Sequence, residues 1–222
     1  MSMQSFTVIY FGDSITEGQG VHHSLIWTTL ITEKLRLAVS EIISPSKQCY
    51  LNFGVPGETT RQALDRFPKL AQQHRPDLMT IQFGLNDCKY RDVEQSSPRV
   101  SESAYRSYLI ELIDRARRCD IRKIILSTNH PTLRHQPTTY GSSFEARRMK
   151  YNDIVRDVAQ EKNVSLCDID LSFMRAGIPL SELVLPEPDM LHLSSVGHEL
   201  YAATIEEPLI ALAEDLLAAT QI

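Results

Sequence analysis

Five residues in four separated segments have the side-chain types that nucleophilic catalysis requires. Ser14 stands in Gly12-Asp13-Ser14 and Gly57 in Asn52-Phe53-Gly54-Val55-Pro56-Gly57. Asn86 stands in Gly84-Leu85-Asn86-Asp87, and Asp189 and His192 share Asp189-Met190-Leu191-His192. A serine hydroxyl is a poor nucleophile near neutral pH until an adjacent base accepts its proton. Imidazole suits that task, with an unperturbed pKa of about 6.5. A carboxylate on Nδ1–H holds the ring in one tautomer, and an Asp three residues before the His can do this within one turn of chain. Charge developing on a substrate oxygen needs preorganised N–H donors. The backbone N–H of Gly57, where no side chain blocks approach, the amide of Asn86 and the N–H of Ser14 can all supply them. Gly54 is the rival to Gly57 for this role.

These segments must be held together by the elements around them. Short apolar or β-branched runs at residues 6–11, 48–53, 77–83, 122–128 and 164–169 read as strands. Between them lie helical stripes. Tyr105, Tyr108, Leu109, Leu112, Ile113 and Ala116 line one face of residues 101–118. Trp27, Ile31 and Leu35 do so in 24–39, and Tyr151, Ile154, Val155 and Val158 in 143–162. Tyr201, Ile205, Leu209, Leu212 and Leu216 stripe residues 195–219, with Ser194 or Ser195 as N-cap and Pro208 expected to kink or split the helix.

Alternation of strand and helix implies an α/β fold: a three-layer, doubly wound parallel sheet in a single domain spanning residues 1–222. Ligands bind such sheets at the carboxyl ends of the strands. Ser14 follows the first strand, the glycine-rich turn follows the second, Asn86 follows the third, and Asp189-x-x-His192 precedes the last helix. All are therefore expected on one rim.

Composition limits the alternatives. The chain has 222 residues, 42% hydrophobic and 23% charged, with net charge −5. No block of Lys or Arg is longer than the pair Arg147-Arg148, which argues weakly against nucleic acid as a partner. Cys49, Cys88, Cys119 and Cys167 form no Cys-x-x-Cys pair and read as free thiols in or near a core. No apolar run approaches the ~18 residues of a membrane span, and no signal peptide is visible, so a cytoplasmic location is expected. His22, His23, His130 and His135 lack the spacing of a zinc site. Neither a metal nor another cofactor is expected. His130 follows the fourth strand and could line the pocket, whereas His198 on the last helix reads as structural.

Four blocks carry a family resemblance. Phe11-Gly12-Asp13-Ser14-Ile15-Thr16-Glu17-Gly18, Asn52-Phe53-Gly54-Val55-Pro56-Gly57-Glu58-Thr59-Thr60, Phe83-Gly84-Leu85-Asn86-Asp87 and Asp189-Met190-Leu191-His192 resemble the signature blocks of the GDSL, or SGNH, hydrolases, in that family's order. The resemblance spans residues 11 to 192. It implies a flavodoxin-like sheet of five parallel strands and hydrolysis of a small-molecule ester. It implies Ser14 as nucleophile and first oxyanion donor, Gly57 and Asn86 as the other donors, and Asp189 and His192 as the relay pair. Met190 departs from the pattern, which usually has Gly after the relay Asp, and Ile15 stands where Leu is frequent.

Singly, each block has a bland reading: Gly-Asp-Ser as a turn and N-cap, Asp-x-x-His as a surface hydrogen bond. Asn52 and Asp87 read as braces for the loops, and Asp13 as support for the nucleophile turn. Residues 86–100 and 129–142 are long enough to wall a pocket. They carry Lys89, Tyr90, Arg91, Arg134, His135 and Tyr140, a polar set suited to small, polar or anionic substrates. The same site would serve a thioesterase or a carbohydrate O-acetyl esterase. A flavodoxin-like binding module without chemistry is the reading from another class.

Overall fold

A computed structural model of the chain describes residues 5–90, 97–135 and 142–219. Arg91 and Tyr140 lie outside these residues. Five parallel strands form one sheet in the order β2-β1-β3-β4-β5: β1 Phe6–Gly12, β2 Gln48–Gly54, β3 Leu78–Gln82, β4 Lys123–Ser127 and β5 Ser165–Cys167. This is the flavodoxin-like order, whose direction of winding reverses between β1 and β3. β1 and β3 are buried along their whole length, which is why they read as unbroken apolar runs rather than alternating ones.

Eight helices are described: α1 Ser14–Glu17, α2 Trp27–Ala38, α3 Thr60–His74, α4 Glu102–Arg118, α5 Phe144–Glu161, α6 Ile169–Arg175, α7 Leu180–Leu183 and α8 Ser195–Ala218. α2 packs on α8, while α3, α4 and α5 pack as successive neighbours, so the sheet lies between two helical layers. The stacked rings of Trp27 and Tyr201, with centroids 4.4 Å apart, join the first of these layers. None of the described helices is long and apolar enough to cross a membrane.

Several expectations need correction. Pro208 does not split α8, which runs unbroken from Ser195 to Ala218. Tyr201, Ile205, Leu209, Ala213 and Leu216 are buried on both sides of the proline, and that packing offsets the one lost backbone hydrogen bond. The fifth strand stops at Cys167, because Asp168 caps α6 through Leu171 N–H and turns Ile169 into helix. α3 was not anticipated. Its stripe of Ala63, Leu64, Phe67, Leu70 and Ala71 is buried despite Pro68. All four cysteines are free, but only Cys88 and Cys167 are buried; Cys49 and Cys119 are exposed.

Candidate active site

The site lies at the carboxyl ends of β1, β2 and β3, at the reversal point of the sheet. Ser14 opens α1 directly after β1, and Asp13 caps that turn by accepting Ile15 N–H at 2.9 Å. Asp13 is fully buried. Burial pushes its carboxyl up to about 7 against the Ile15 hydrogen bond, and the nearby Asp87 and Glu58 carboxylates add to the rise. Beneath the turn, Thr16 Oγ1 donates to Gln82 Oε1 on β3 at 3.0 Å.

The chain returns to this point 178 residues later. His192 Nε2 stands 2.9 Å from Ser14 Oγ, and His192 Nδ1 stands 2.7 Å from Asp189 Oδ2. Asp189 Oδ1 accepts the backbone N–H groups of Leu191 at 2.9 Å and His192 at 2.7 Å. Partial burial raises the Asp189 pKa, but the hydrogen bonds from the His192 backbone and ring and from Leu191 outweigh it, so the carboxyl is held below its usual range. Ser14 and Asp189–His192 thus form one continuous hydrogen-bonded chain. Met190 sits between them at φ +58°, in the left-handed region that glycine enters freely. This gives a physical reason for the glycine usual at that place.

Gly54 and Gly57 have different surroundings. A Cβ on Gly54 would lie 2.1 Å from Glu17 N and 2.8 Å from Asp13 O, and its N–H already donates to Asn52 Oδ1 at 2.8 Å. It is a close-approach glycine joining β2 to α1. Gly57 is exposed, at φ +76°, and a Cβ there would meet nothing within 4 Å. Asn86 Nδ2 donates to Glu58 O at 3.1 Å, with Asp13 Oδ2 at 3.5 Å. Asn86 is half-buried and so bridges the ends of β3 and β2 beside Ser14.

Other groups brace this arrangement. Asp87 is buried and accepts Thr60 N–H at 3.0 Å and Thr60 Oγ–H at 2.5 Å. Burial pushes its carboxyl up to about 6 against those bonds. Asn52 Nδ2 donates to Thr16 O at 2.7 Å and Thr28 Oγ1 at 2.9 Å. Two supports escaped the sequence reading. Arg66 on α3 donates through Nε to both Glu58 carboxylate oxygens at 2.7 Å and through Nη2 to Phe53 O at 2.7 Å. Arg99 Nη1 donates to Gly57 O at 3.0 Å. Glu58 follows Gly57 within its block and was the available signal for the first; nothing local marks Arg66 or Arg99.

The histidines are placed as follows. His130 is fully buried behind the Asp189–His192 segment and does not line a pocket; its Nε2 meets Leu191 O at 2.8 Å. His198 is buried, and its Nδ1 accepts Trp27 N–H at 3.2 Å. His22, His23 and His135 are surface or loop residues. Arg134 turns onto Asp189 O, and Tyr90 lies under the Arg147 guanidinium at 3.7 Å. Among the described residues no cluster of three His, Cys, Asp or Glu side chains could hold a metal ion. A hollow of about 650 Å³ at the opposite, amino ends of β3 and β4, lined by Arg75, Asp77, Cys119 and Arg122, contains neither Ser14, Gly57, Asn86, Asp189 nor His192.

Comparisons with known proteins identify the family and the fold. Residues 10–200 match the model of the GDSL-like lipase/acylhydrolase family. The "uncharacterized lipoprotein YqeF" of Bacillus subtilis is 28% identical over 184 residues, covering 76% of this chain and 72% of that protein. "Thioesterase 1/protease 1/lysophospholipase L1" of Escherichia coli is 31% identical over 81 residues, covering 36% of this chain and 35% of that protein. The crystal structure of Axe2, an acetylxylan esterase from Geobacillus stearothermophilus, superposes with a TM-score of 0.69 at 20% identity, covering 93% and 95% of the two chains. The match over residues 10–200 takes in all four blocks and runs from the end of β1 into α8: the chain belongs to the GDSL-like lipase/acylhydrolase family and is a carboxylic ester hydrolase.

Proposed function

We propose that the chain cleaves esters of small acyl groups through a covalent acyl-enzyme on Ser14. The observation that carries this reading is the unbroken path Ser14 Oγ–His192 Nε2–His192 Nδ1–Asp189 Oδ2, with steps of 2.9 Å and 2.7 Å. Ser14 Oγ attacks the ester carbonyl carbon while its proton passes to His192 Nε2. The carbonyl oxygen becomes an oxyanion held by Ser14 N–H, Gly57 N–H and Asn86 Nδ2–H. The tetrahedral intermediate collapses, and the alcohol leaves with the proton from His192. Water, deprotonated by His192, then attacks the acyl carbon, and the carboxylic acid leaves as Ser14 regains its proton. Asp189 stays ionised throughout and holds Nδ1–H.

The polar character of the loops after β3 and β4, which carry Lys89, Tyr90 and Arg134, supports small, polar acyl donors over long chains. Ser14→Ala is expected to abolish turnover of p-nitrophenyl acetate and labelling by a fluorophosphonate. Retained turnover near the wild-type rate sinks the assignment. Unlabelled Ser14 would instead favour a binding module without chemistry. Parallel assays with p-nitrophenyl esters of rising chain length, an acyl-CoA and an acetylated sugar separate a simple esterase from a thioesterase and from a carbohydrate O-acetyl esterase.

A further inference from the structure

Every carbonyl from Asp189 to His192 is held by a donor. Asp189 O accepts from Arg134 Nη2 at 2.6 Å and Nε at 3.1 Å. Met190 O accepts from Leu133 N–H at 3.0 Å, Leu191 O from His130 Nε2 at 2.8 Å, and His192 O from Leu185 N–H at 2.8 Å. The first three grips come from one stretch, residues 130–134, which leaves the carboxyl end of β4. That stretch is itself fixed. Thr132 donates to Glu145 of α5 through its N–H at 2.8 Å and its hydroxyl at 2.9 Å, and Glu145 is ion-paired with buried Arg148.

This grip has something to hold. Met190 at φ +58° is in the left-handed region, which an L-residue other than glycine enters only at a cost. Such a conformation persists only where its surroundings over-determine it. Relaxing it would rotate the peptides on which Asp189 and His192 ride.

We propose that His130 and Arg134 are positioning residues that set the Asp189–His192 pair against Ser14. The inference rests on the reading of Ser14, His192 and Asp189 given above. His130 is suited to the task because it faces a carbonyl through Nε2, which must therefore carry the hydrogen. Burial holds its pKa down to about 3, so the ring stays neutral and keeps one tautomer. Its Nδ1 has no hydrogen-bond partner among the described residues. Arg134 directs two N–H groups at the Asp189 carbonyl and none at its carboxylate, with Phe144 beneath the guanidinium at 5.9 Å.

The test compares full-length His130→Gln, His130→Leu, Arg134→Lys and Arg134→Met with wild type, each assayed well below its own Tm. His130→Gln and Arg134→Lys retain an N–H donor, while the other two do not. Three readouts separate positioning from mere support: the split of kcat and KM on p-nitrophenyl acetate, the pH profile of kcat/KM, and the downfield proton resonance of the His192 Nδ1–H hydrogen bond. His130→Leu and Arg134→Met are expected to lower kcat on the order of 10–100-fold, because small misplacements of a reacting group are expensive. KM should stay within about twofold, the pH profile should move, and the resonance should broaden or shift. His130→Gln should recover most of the loss.

Folded His130→Leu with wild-type kcat and pH profile overturns the proposal, and so does His130→Gln as impaired as His130→Leu. If His130→Leu does not fold, half-exposed Arg134→Met decides, and wild-type kinetics there overturn it too. Failure of the underlying reading looks different: wild-type enzyme would then not be labelled at Ser14 by a fluorophosphonate.

Discussion

Asn86 is the residue whose removal reads out most directly. Its Nδ2 already donates to Glu58 O at 3.1 Å, so the amide is oriented before substrate arrives. Asn86→Ala should lower kcat by roughly 10²–10³ while leaving the Ser14–His192 hydrogen bond in place, a loss measurable on p-nitrophenyl acetate. Met190 offers a second check. At φ +58°, glycine is tolerated and a β-branched residue is a severe misfit. Met190→Val should be less stable than Met190→Gly by about 1–2 kcal/mol in urea denaturation and should lose kcat along with stability. Of these residues, Ser14, Gly57 and Asn86 were legible because each sits in a short glycine-containing block after a strand, and Asp189 and His192 because an Asp-x-x-His spacing stands just before the last helix. Arg134 and His130 were visible only as polar loop residues. Their partners, Asp189 O and Leu191 O, are 55 and 61 residues away and are carbonyls that every sequence position possesses.

At the scale of elements, the strand ends are tied by a buried polar network rather than by apolar packing alone. Thr16 Oγ1 donates to Gln82, Gln82 Nε2 to Asn129 Oδ1 at 2.8 Å, and Asn129 Nδ2 to Phe83 O at 3.0 Å. Asn152 Nδ2 and Arg148 Nη1 both donate to Asn129 O, at 2.8 Å and 2.7 Å. The network joins α1, β3, the segment after β4 and α5 directly behind the site. Asn129→Ala should destabilise by about 1–3 kcal/mol for each buried partner left unsatisfied, seen as a lower denaturation midpoint. Proline in α8 invites the opposite change. Pro208→Ala should raise Tm by several degrees, since proline in a helix interior is roughly 3 kcal/mol less favourable than alanine. The long helices were legible because their stripes are regular. α3 was hidden by Pro68, although Gln62 three residues past Thr59, whose N–H it accepts at 3.0 Å, is a start signal. β5 was read too long because Asp168 serves as a helix cap, a choice that depends on what packs after it.

For the whole molecule, burying two acids beside the nucleophile has a consequence for pH. Burial pushes the Asp13 and Asp87 carboxyls up to about 7 and about 6 in the folded chain, above the ordinary carboxyl value of 3.8. Between the unfolded and folded values the native state binds more protons than the unfolded state, so stability falls as pH rises through that window. Asp189 acts in the other sense and at lower pH. Its lowered folded pKa adds stability that is present above 3.8 and lost as pH drops through the folded value. Wild-type protein should therefore be less stable at about pH 8 than at about pH 5, and Asp13→Asn, which keeps the capping oxygen, should flatten that slope in denaturant titrations. Ser14 and His192 stand 178 residues apart in the chain, at opposite ends of the order in which a ribosome releases them. The hydroxyl emerges with the first strand, and the imidazole emerges only when four further strands have been made. On the proposed mechanism a nascent chain carries an inert serine, and hydrolysis of a chromogenic ester is expected only once synthesis has passed His192 and the final helix has closed on Trp27.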